Sequence, residues 1–308
     1  MKILYASREL PHINKPMAAI GIFDGAHKGH QKLLSALVKR ARYKNKKAVV
    51  ITFSPHPYKI LHPHKSPPML FSLAHRLRIL GNLGVDIVFV LRFTRRIASL
   101  SPEAFVERYL VKGLDIGELF VGDNFKIGHG RTGGLKQLKR FSAKYNFKLN
   151  VIPCRKINQK LISSTLIRKL LIEGNLKGAA ARLGRRASIL GTVVRGDRRG
   201  RIIGYPTANL DLHHEAVPPA GVYVVLVKYN GKNYKGVLNI GFCPTFKKRA
   251  RERTVEVHIF GFKKTIYGAD LEIVFLKKIR EERHFHNREH LRLQIKKDLR
   301  QSQVLFGR

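Results

Sequence analysis

A chain of 308 residues is longer than one hydrophobic core usually organises, so two domains are expected. Its 44% apolar content can fill packed cores and excludes a disordered chain, and no apolar run reaches the roughly 18 residues of a membrane span. Lys and Arg number 60 against 20 Asp and Glu, a net charge of +40 that suits nucleic acid, anionic lipid or phosphorylated small molecules.

Basic runs occur at 195–201 and 247–253, but the excess is spread along the chain and fits general solubility equally well. Met1 to Leu10 lacks the long apolar stretch of a secretory signal. Cys154 and Cys243 are too few and too far apart for a disulfide framework or a metal cluster, so a cytoplasmic protein is expected.

The first half alternates two periodicities. Met17 to Phe23 reads as a buried strand ending in glycine-rich sequence, and Leu33, Leu34, Leu37, Val38 and Ala41 mark one face of a following helix. Further strands are expected at 48–53, 85–91, 119–121 and 149–152. Helices are expected at 73–83 and at 101–110, where Pro102 suits a first turn, and another starts near Ser164. Strand and helix in alternation predict a parallel sheet covered by helices. After about Gly184 the pattern becomes strands at 188–194, 222–228, 234–240, 254–260 and 271–276, with Asn230-Gly231 as a hairpin turn. A helix over 288–305 closes the chain, although Leu291, Leu293, Ile295 and Leu299 fit it only loosely. This second half predicts a small antiparallel barrel, with domains at 1–183 and 184–308.

Two N-terminal segments carry chemistry. Gly21 to His30 joins the first strand to the first helix, where ligands of open parallel sheets bind. Gly25 and Gly29 allow close backbone approach, and His27 and His30 stand where a helix N-terminus favours phosphate. Two imidazoles three residues apart suit charge neutralisation on a phosphate; metal ligation and plain surface histidines are the other readings. Ser163, Ser164 and Thr165 start a helix with Arg168 one turn on, which reads as a phosphate cradle or as capping.

Together these motifs resemble the HxGH nucleotidyltransferase superfamily, and the Ser-Ser-Thr-x-x-Arg form is that of its small transferases. The fuller string from Gly21 through Phe23, Asp24, Gly25, His27 and Gly29 to His30 resembles the bacterial FMN adenylyltransferases. Thr52 to Pro57 and Val121 to Gly133 support this over residues from about 15 to 175. The resemblance implies a Rossmann-like domain that makes FAD and pyrophosphate from FMN and ATP. ATP would lie on Gly21, Phe23, Asp24, Gly25, His27, His30, Ser163, Ser164, Thr165 and Arg168, and FMN on His56, Pro57, Asn124, Phe125 and Arg131. Mg²⁺ would bridge the ATP phosphates. Asn124 stands where an Asp is frequent, and Ile127 where an aromatic is.

In the second half, Gly191 to Gly196 leads to Gly200-Arg201 and then Gly204-Tyr205-Pro206-Thr207-Ala208-Asn209-Leu210. An extended 207–209 puts Thr207 and Asn209 on one side, as an Mg²⁺ and phosphate site or simply as a basic turn before a strand. The string resembles the signature of riboflavin kinases, supported by Gly221-Val222-Tyr223, Gly236 to Gly241, Pro244-Thr245-Phe246 and Val255 to Phe260. The family's usual Asp is Gly261 here. The resemblance implies phosphorylation of riboflavin by ATP, with Gly191, Gly196, Arg201, Gly204, Thr207 and Asn209 on ATP and Mg²⁺. Glu256 and Phe285 would contact the flavin, with a place in the core as the other reading of Phe285. Glu256 takes the strand face opposite Val255 and Val257, and a neutral alcohol nucleophile benefits from such a base; a cross-strand ion pair is the plainer reading.

A bifunctional riboflavin kinase and FMN adenylyltransferase is therefore expected, with riboflavin, FMN and ATP as partners and no specific nucleic acid or membrane. A kinase with weakened adenylyl transfer and a basic nucleic-acid binder on the same scaffold are the alternatives.

Overall fold

The computed structural model describes residues 1–5, 13–65, 67–157, 160–196, 200, 204–242, 253–283, 285 and 287–307. Chain contacts divide it into two compact units, Met1–Pro68 with Leu73–Ser164, and Met69–Ser72 with Thr165–Arg308.

The first unit is built on a six-stranded parallel sheet: β1 (Lys2–Tyr5), β2 (Met17–Ile20), β3 (Ala48–Ser54), β4 (Ile87–Arg92), β5 (Glu118–Gly122) and β6 (Lys148–Ile152), in the order β1-β4-β3-β2-β5-β6. All four β2 residues are buried. Ala18 and Ile20 join one core layer with Val49, Ile51, Phe105 and Leu110. Met17 and Ala19 join the other, with Leu33, Leu34, Leu37 and Ala41 of α1 (Lys28–Tyr43). Burial on both faces is what a parallel sheet between helix layers requires, and it explains the unbroken apolar run. β1 and its pairing with β4 lie outside the elements expected from the sequence.

Around the sheet lie α2 (Pro57–Leu61), α3 (Leu73–Asn82), α4 (Arg95–Ala98), α5 (Pro102–Phe105) and α6 (Leu135–Lys144). The expected 101–110 helix starts as foreseen, with Ser101 Oγ accepting from Ala104 N at 3.1 Å and Pro102 in the first turn. It then widens into π-helical geometry over Val106–Val111. A two-residue ribbon comes after the sheet, β7 (Lys156–Ile157) with β8 (Lys160–Leu161). The next helices are α7 (Ser164–Ile172) and α8 (Leu176–Leu183).

The second unit holds a closed antiparallel barrel of β9 (Ser188–Val194), β10 (Ala208–Asp211), β11 (Gly221–Tyr229), β12 (Lys232–Phe242), β13 (Arg253–Ile259) and β14 (Asp270–Arg280), ordered β10-β13-β12-β11-β14-β9. Asn230 and Gly231 both have positive φ, 45° and 73°, and form the expected two-residue turn between β11 and β12. Residues Met69–Ser72 belong to this unit through Glu215. Its buried carboxylate accepts from Ser72 N at 2.7 Å and from Leu190 N at 2.9 Å.

The last helix, α9 (Arg288–Phe306), shows why its apolar pattern was loose. Its most buried residues are the polar pair Asp298 and Ser302, while Leu293 is 53% exposed. Arg280 at the end of β14 grips the Asp298 carboxylate through Nε, at 3.1 and 3.0 Å, and Nη2, at 2.8 Å. Gln294 Nε2 adds a bond at 2.9 Å. Removing one partner strands a buried charge. Asp298→Ala is therefore expected to cost about 3 kcal/mol, read as a lower urea midpoint for the barrel's unfolding.

Candidate active sites

In the parallel sheet the chain leaves β2 to the β3 side and returns later to place β5 on the other flank, and at such a reversal open α/β sheets take ligands beyond the strands' carboxyl ends. Three expected segments leave that edge: 21–30 after β2, 54–57 after β3 and 123–133 after β5.

The 21–27 loop is tightly folded. Phe23, Gly25 and Ala26 have φ of 53°, 80° and 35°, and Phe23 and Asp24 are buried. A Cβ at Gly21 would meet the Phe23 ring at 3.2 Å. His27 caps α1, its Nδ1 accepting from His30 N at 3.4 Å. The two imidazoles stack at 3.7 Å, 16° from parallel, and Phe23 presents its edge to His30. A Cβ on Gly29 would press on His27 Cε1 and Nδ1 at 3.2 Å, so the glycine makes room for the ring. His30 Nδ1 is buried without a hydrogen-bond partner among the described residues. Burial first, then His27, push its pKa well below 6.5.

Ser164 Oγ donates to Asp24 O at 2.7 Å and so joins the start of α7 to this loop. Ser163 and Arg168 are half-buried and Thr165 is exposed in the same helical start. His56 caps α2, Nδ1 accepting from Tyr58 N at 3.0 Å, with Pro57 in the first turn. Asn124 and Arg131 are exposed and Phe125 half-buried. Ile127 and Gly133 exchange backbone bonds of 2.9 Å that close the loop, and Ile127 lies in the core. Any Cβ at Gly128 or Gly133 would strike Pro102, so these glycines serve packing.

The second site lies on the barrel. Thr207 Oγ1 donates to Glu256 Oε2 at 3.0 Å. Glu256 stands in register between Asn209 of β10 and Asn239 of β12. The Asn209 amide lies against Gly196, in space that a Cβ would occupy. Gly200 is closed against the Thr207 turn by the 2.8 Å bond from Tyr205 N to Gly200 O. Gly204 has φ 90°, and Gly191 packs inside the wall against Leu210 and Leu212. Phe285 lies beneath the Arg280 guanidinium, 5.7 Å from its ring centre. Arg201 lies outside the described residues.

Sequence reasoning missed two groups here. Asn239, Glu256's register partner, reads as an ordinary strand residue. His258 Nδ1 bonds the Pro206 carbonyl at 2.8 Å and braces the turn that carries Thr207.

An α/β unit with a stacked histidine pair at a helix N-terminus, followed by a barrel with a hydroxyl-bonded glutamate, defines an enzyme with a nucleotidyltransferase half and a kinase half. The FAD synthetase family matches residues 10–166 and the riboflavin kinase family residues 183–306. Bifunctional riboflavin kinase/FMN adenylyltransferases of Buchnera aphidicola subsp. Schizaphis graminum and of Bacillus subtilis are each 37% identical, covering 97% of both chains and 95% and 93% respectively. The Escherichia coli K12 protein of the same name is 38% identical over 94% of this chain and 92% of its own. A Streptococcus pneumoniae crystal structure, described as a macrolide-efflux protein, superposes with TM-score 0.83 at 31% identity, covering 98% of this chain and 99% of its own. Among the described residues of this chain no helix is long and apolar enough to cross a membrane. The chain belongs to the bifunctional riboflavin kinase/FMN adenylyltransferase family, whose two activities make FMN and FAD.

Two glycine substitutions should separate the halves. Gly29→Ala displaces the His27 ring and is expected to cut FAD formation from FMN about tenfold or more while riboflavin phosphorylation persists. Gly196→Ala displaces Asn209 and is expected to do the reverse; each product is measured separately by chromatography. The His30 shift also has a stability consequence. Unfolded, the ring takes a proton near 6.5; folded, it does so only well below, so stability is retained above 6.5 and lost as pH falls toward the depressed value. Melting curves from pH 8 to 5 should show a shallower acid decline for His30→Asn than for the natural protein.

Proposed function

We propose that adenylyl transfer takes place in the crevice beside β2 and phosphoryl transfer at the Thr207–Glu256 site of the barrel. The observation that carries this reading is the difference in chemical equipment. The crevice offers stacked imidazoles and serine hydroxyls at helix starts, whereas the barrel offers a carboxylate bonded to a hydroxyl. The two nucleophiles differ in the same way. FMN's phosphate is already anionic and needs positioning; riboflavin's terminal alcohol is neutral and needs a base.

In the crevice, an FMN phosphate oxygen attacks the α-phosphorus of ATP, and pyrophosphate leaves as the α–β bridge breaks. His27 and His30 hydrogen-bond the α-phosphate as charge gathers on it, and the 163–165 hydroxyls with Arg168 hold the remaining phosphates. His56, Pro57, Asn124, Phe125 and Arg131 receive FMN.

In the barrel, riboflavin's hydroxyl attacks the γ-phosphorus, its proton passes to Glu256, and ADP leaves. Thr207 points its proton at Glu256, which leaves hydroxyl lone pairs for a cation, and the Asn209 amide is a second hard oxygen donor. These groups fit Mg²⁺, which when bound offsets the charge of the ATP phosphates. Gly196, Gly204 and Arg201 line the ATP phosphates, Gly191 supports them from the wall, and Phe285 covers the flavin. The 1–183 segment carries the first reaction and 184–308 the second, both in the cytoplasm.

Glu256→Gln is expected to slow riboflavin phosphorylation about a thousandfold while supplied FMN still becomes FAD. His30→Asn is expected to let FMN accumulate and lower FAD formation about a hundredfold. Flavin chromatography of each variant, given riboflavin or FMN, reads both outcomes, and loss of the opposite step in either variant overturns the site assignment.

A further inference from the structure

We propose that Arg76 is a positioning residue for adenylyl transfer, locking the nucleotide loop after β2 and the flavin loop after β3 into one frame. The inference rests on the assignment of those two loops under the proposed function. Arg76 lies in α3 and is 2% exposed. Its Nη1 donates to the Ile22 carbonyl at 2.6 Å and to Thr52 Oγ1 at 3.1 Å, and its Nη2 donates to the Phe53 carbonyl at 3.3 Å. Thr52 Oγ1 in turn donates to the same Ile22 carbonyl at 3.2 Å. One planar guanidinium thus spans the exits of two neighbouring strands, one leading to His27 and the other to His56.

Two features set this apart from core filling. Position 76 shares the buried face of α3 with Leu77 and Leu80, where an aliphatic side chain would pack without desolvating a charge. The bond to Ile22 also acts immediately before Phe23, whose left-handed φ of 53° is disfavoured for a bulky residue and persists only where its surroundings enforce it. Ala26, at φ 35°, is the second such residue, directly before His27. Asp24, buried in the same loop, adds an attraction for the guanidinium. A lysine has a single ammonium and lacks the fork that reaches Ile22 and Phe53 together.

The test uses full-length Arg76→Gln, Arg76→Lys and Thr52→Val, with KM for ATP and for FMN measured separately in FAD formation. Riboflavin phosphorylation by the same preparations reports folding and concentration. Arg76→Gln and Thr52→Val are expected to raise both KM values by about fivefold or more with phosphorylation changed by no more than about twofold, and Arg76→Lys to recover only part of the loss. A lower melting temperature with unchanged KM values would reduce Arg76 to a core charge and overturn the proposal. If Arg76→Gln does not fold, the near-isosteric Thr52→Val decides on the same criteria. His30→Asn is run alongside: normal FAD formation there removes the loop assignment itself, whereas its loss with unaffected Thr52→Val and Arg76→Lys removes only the clamp.

Discussion

Much of the first unit derives from burying one strand on both faces. β2 contributes Ala18 and Ile20 to one core layer and Met17 and Ala19 to the other, and it is flanked by parallel neighbours on both sides. Such a strand has no solvent-facing residue with which to bind anything, so its contribution to chemistry is confined to the loop at its carboxyl end. The strand order reverses there, which is where open parallel sheets take their ligands. The left-handed residues, the cap from His27 and the stacked imidazoles are local answers to leaving a buried strand and entering a helix within a few residues.

The barrel solves a related problem with the other kind of sheet. Antiparallel register sets residues of neighbouring strands directly opposite one another, so Asn209, Glu256 and Asn239 form a row across three strands. A crevice at parallel strand ends gathers backbone amides and loop side chains, which suits an anionic nucleophile and phosphates. A row across an antiparallel wall fixes individual side chains, which suits a base that must meet one alcohol. On the proposed assignment of the two reactions, the two sheet types divide the chemistry as they divide the chain.

Much of this is legible in the amino-acid sequence. The unbroken run from Met17, the alternation around Glu256 and the Asn230-Gly231 turn are local patterns, and each became the expected element, although the strand expected to reach Phe23 ends at Ile20 because the chain turns there into left-handed geometry. What stayed hidden is non-local. Arg76 looks like one more basic residue among 60, and its only signal is a charge at apolar spacing with Leu80 in α3. The closing helix misled for a related reason, since its leucines do not choose its buried face; an ion pair with Arg280 does. The basic runs at 195–201 and 247–253 fall largely outside the described residues.

The Met69–Ser72 segment gives the molecule an unusual wiring. The chain passes from the α/β unit to the barrel unit after Pro68, returns after Ser72, and passes again after Ser164. The two catalytic halves are therefore not joined like beads on a string, because the earlier half lends a short piece of itself to the later one. A barrel excised by a single cut would lack the Ser72 amide, and its 2.7 Å bond to the buried Glu215 carboxylate would go with it. Separating the two halves by a single cut would therefore reach into the barrel's own interior, where it would leave one oxygen of a buried carboxylate short of a donor.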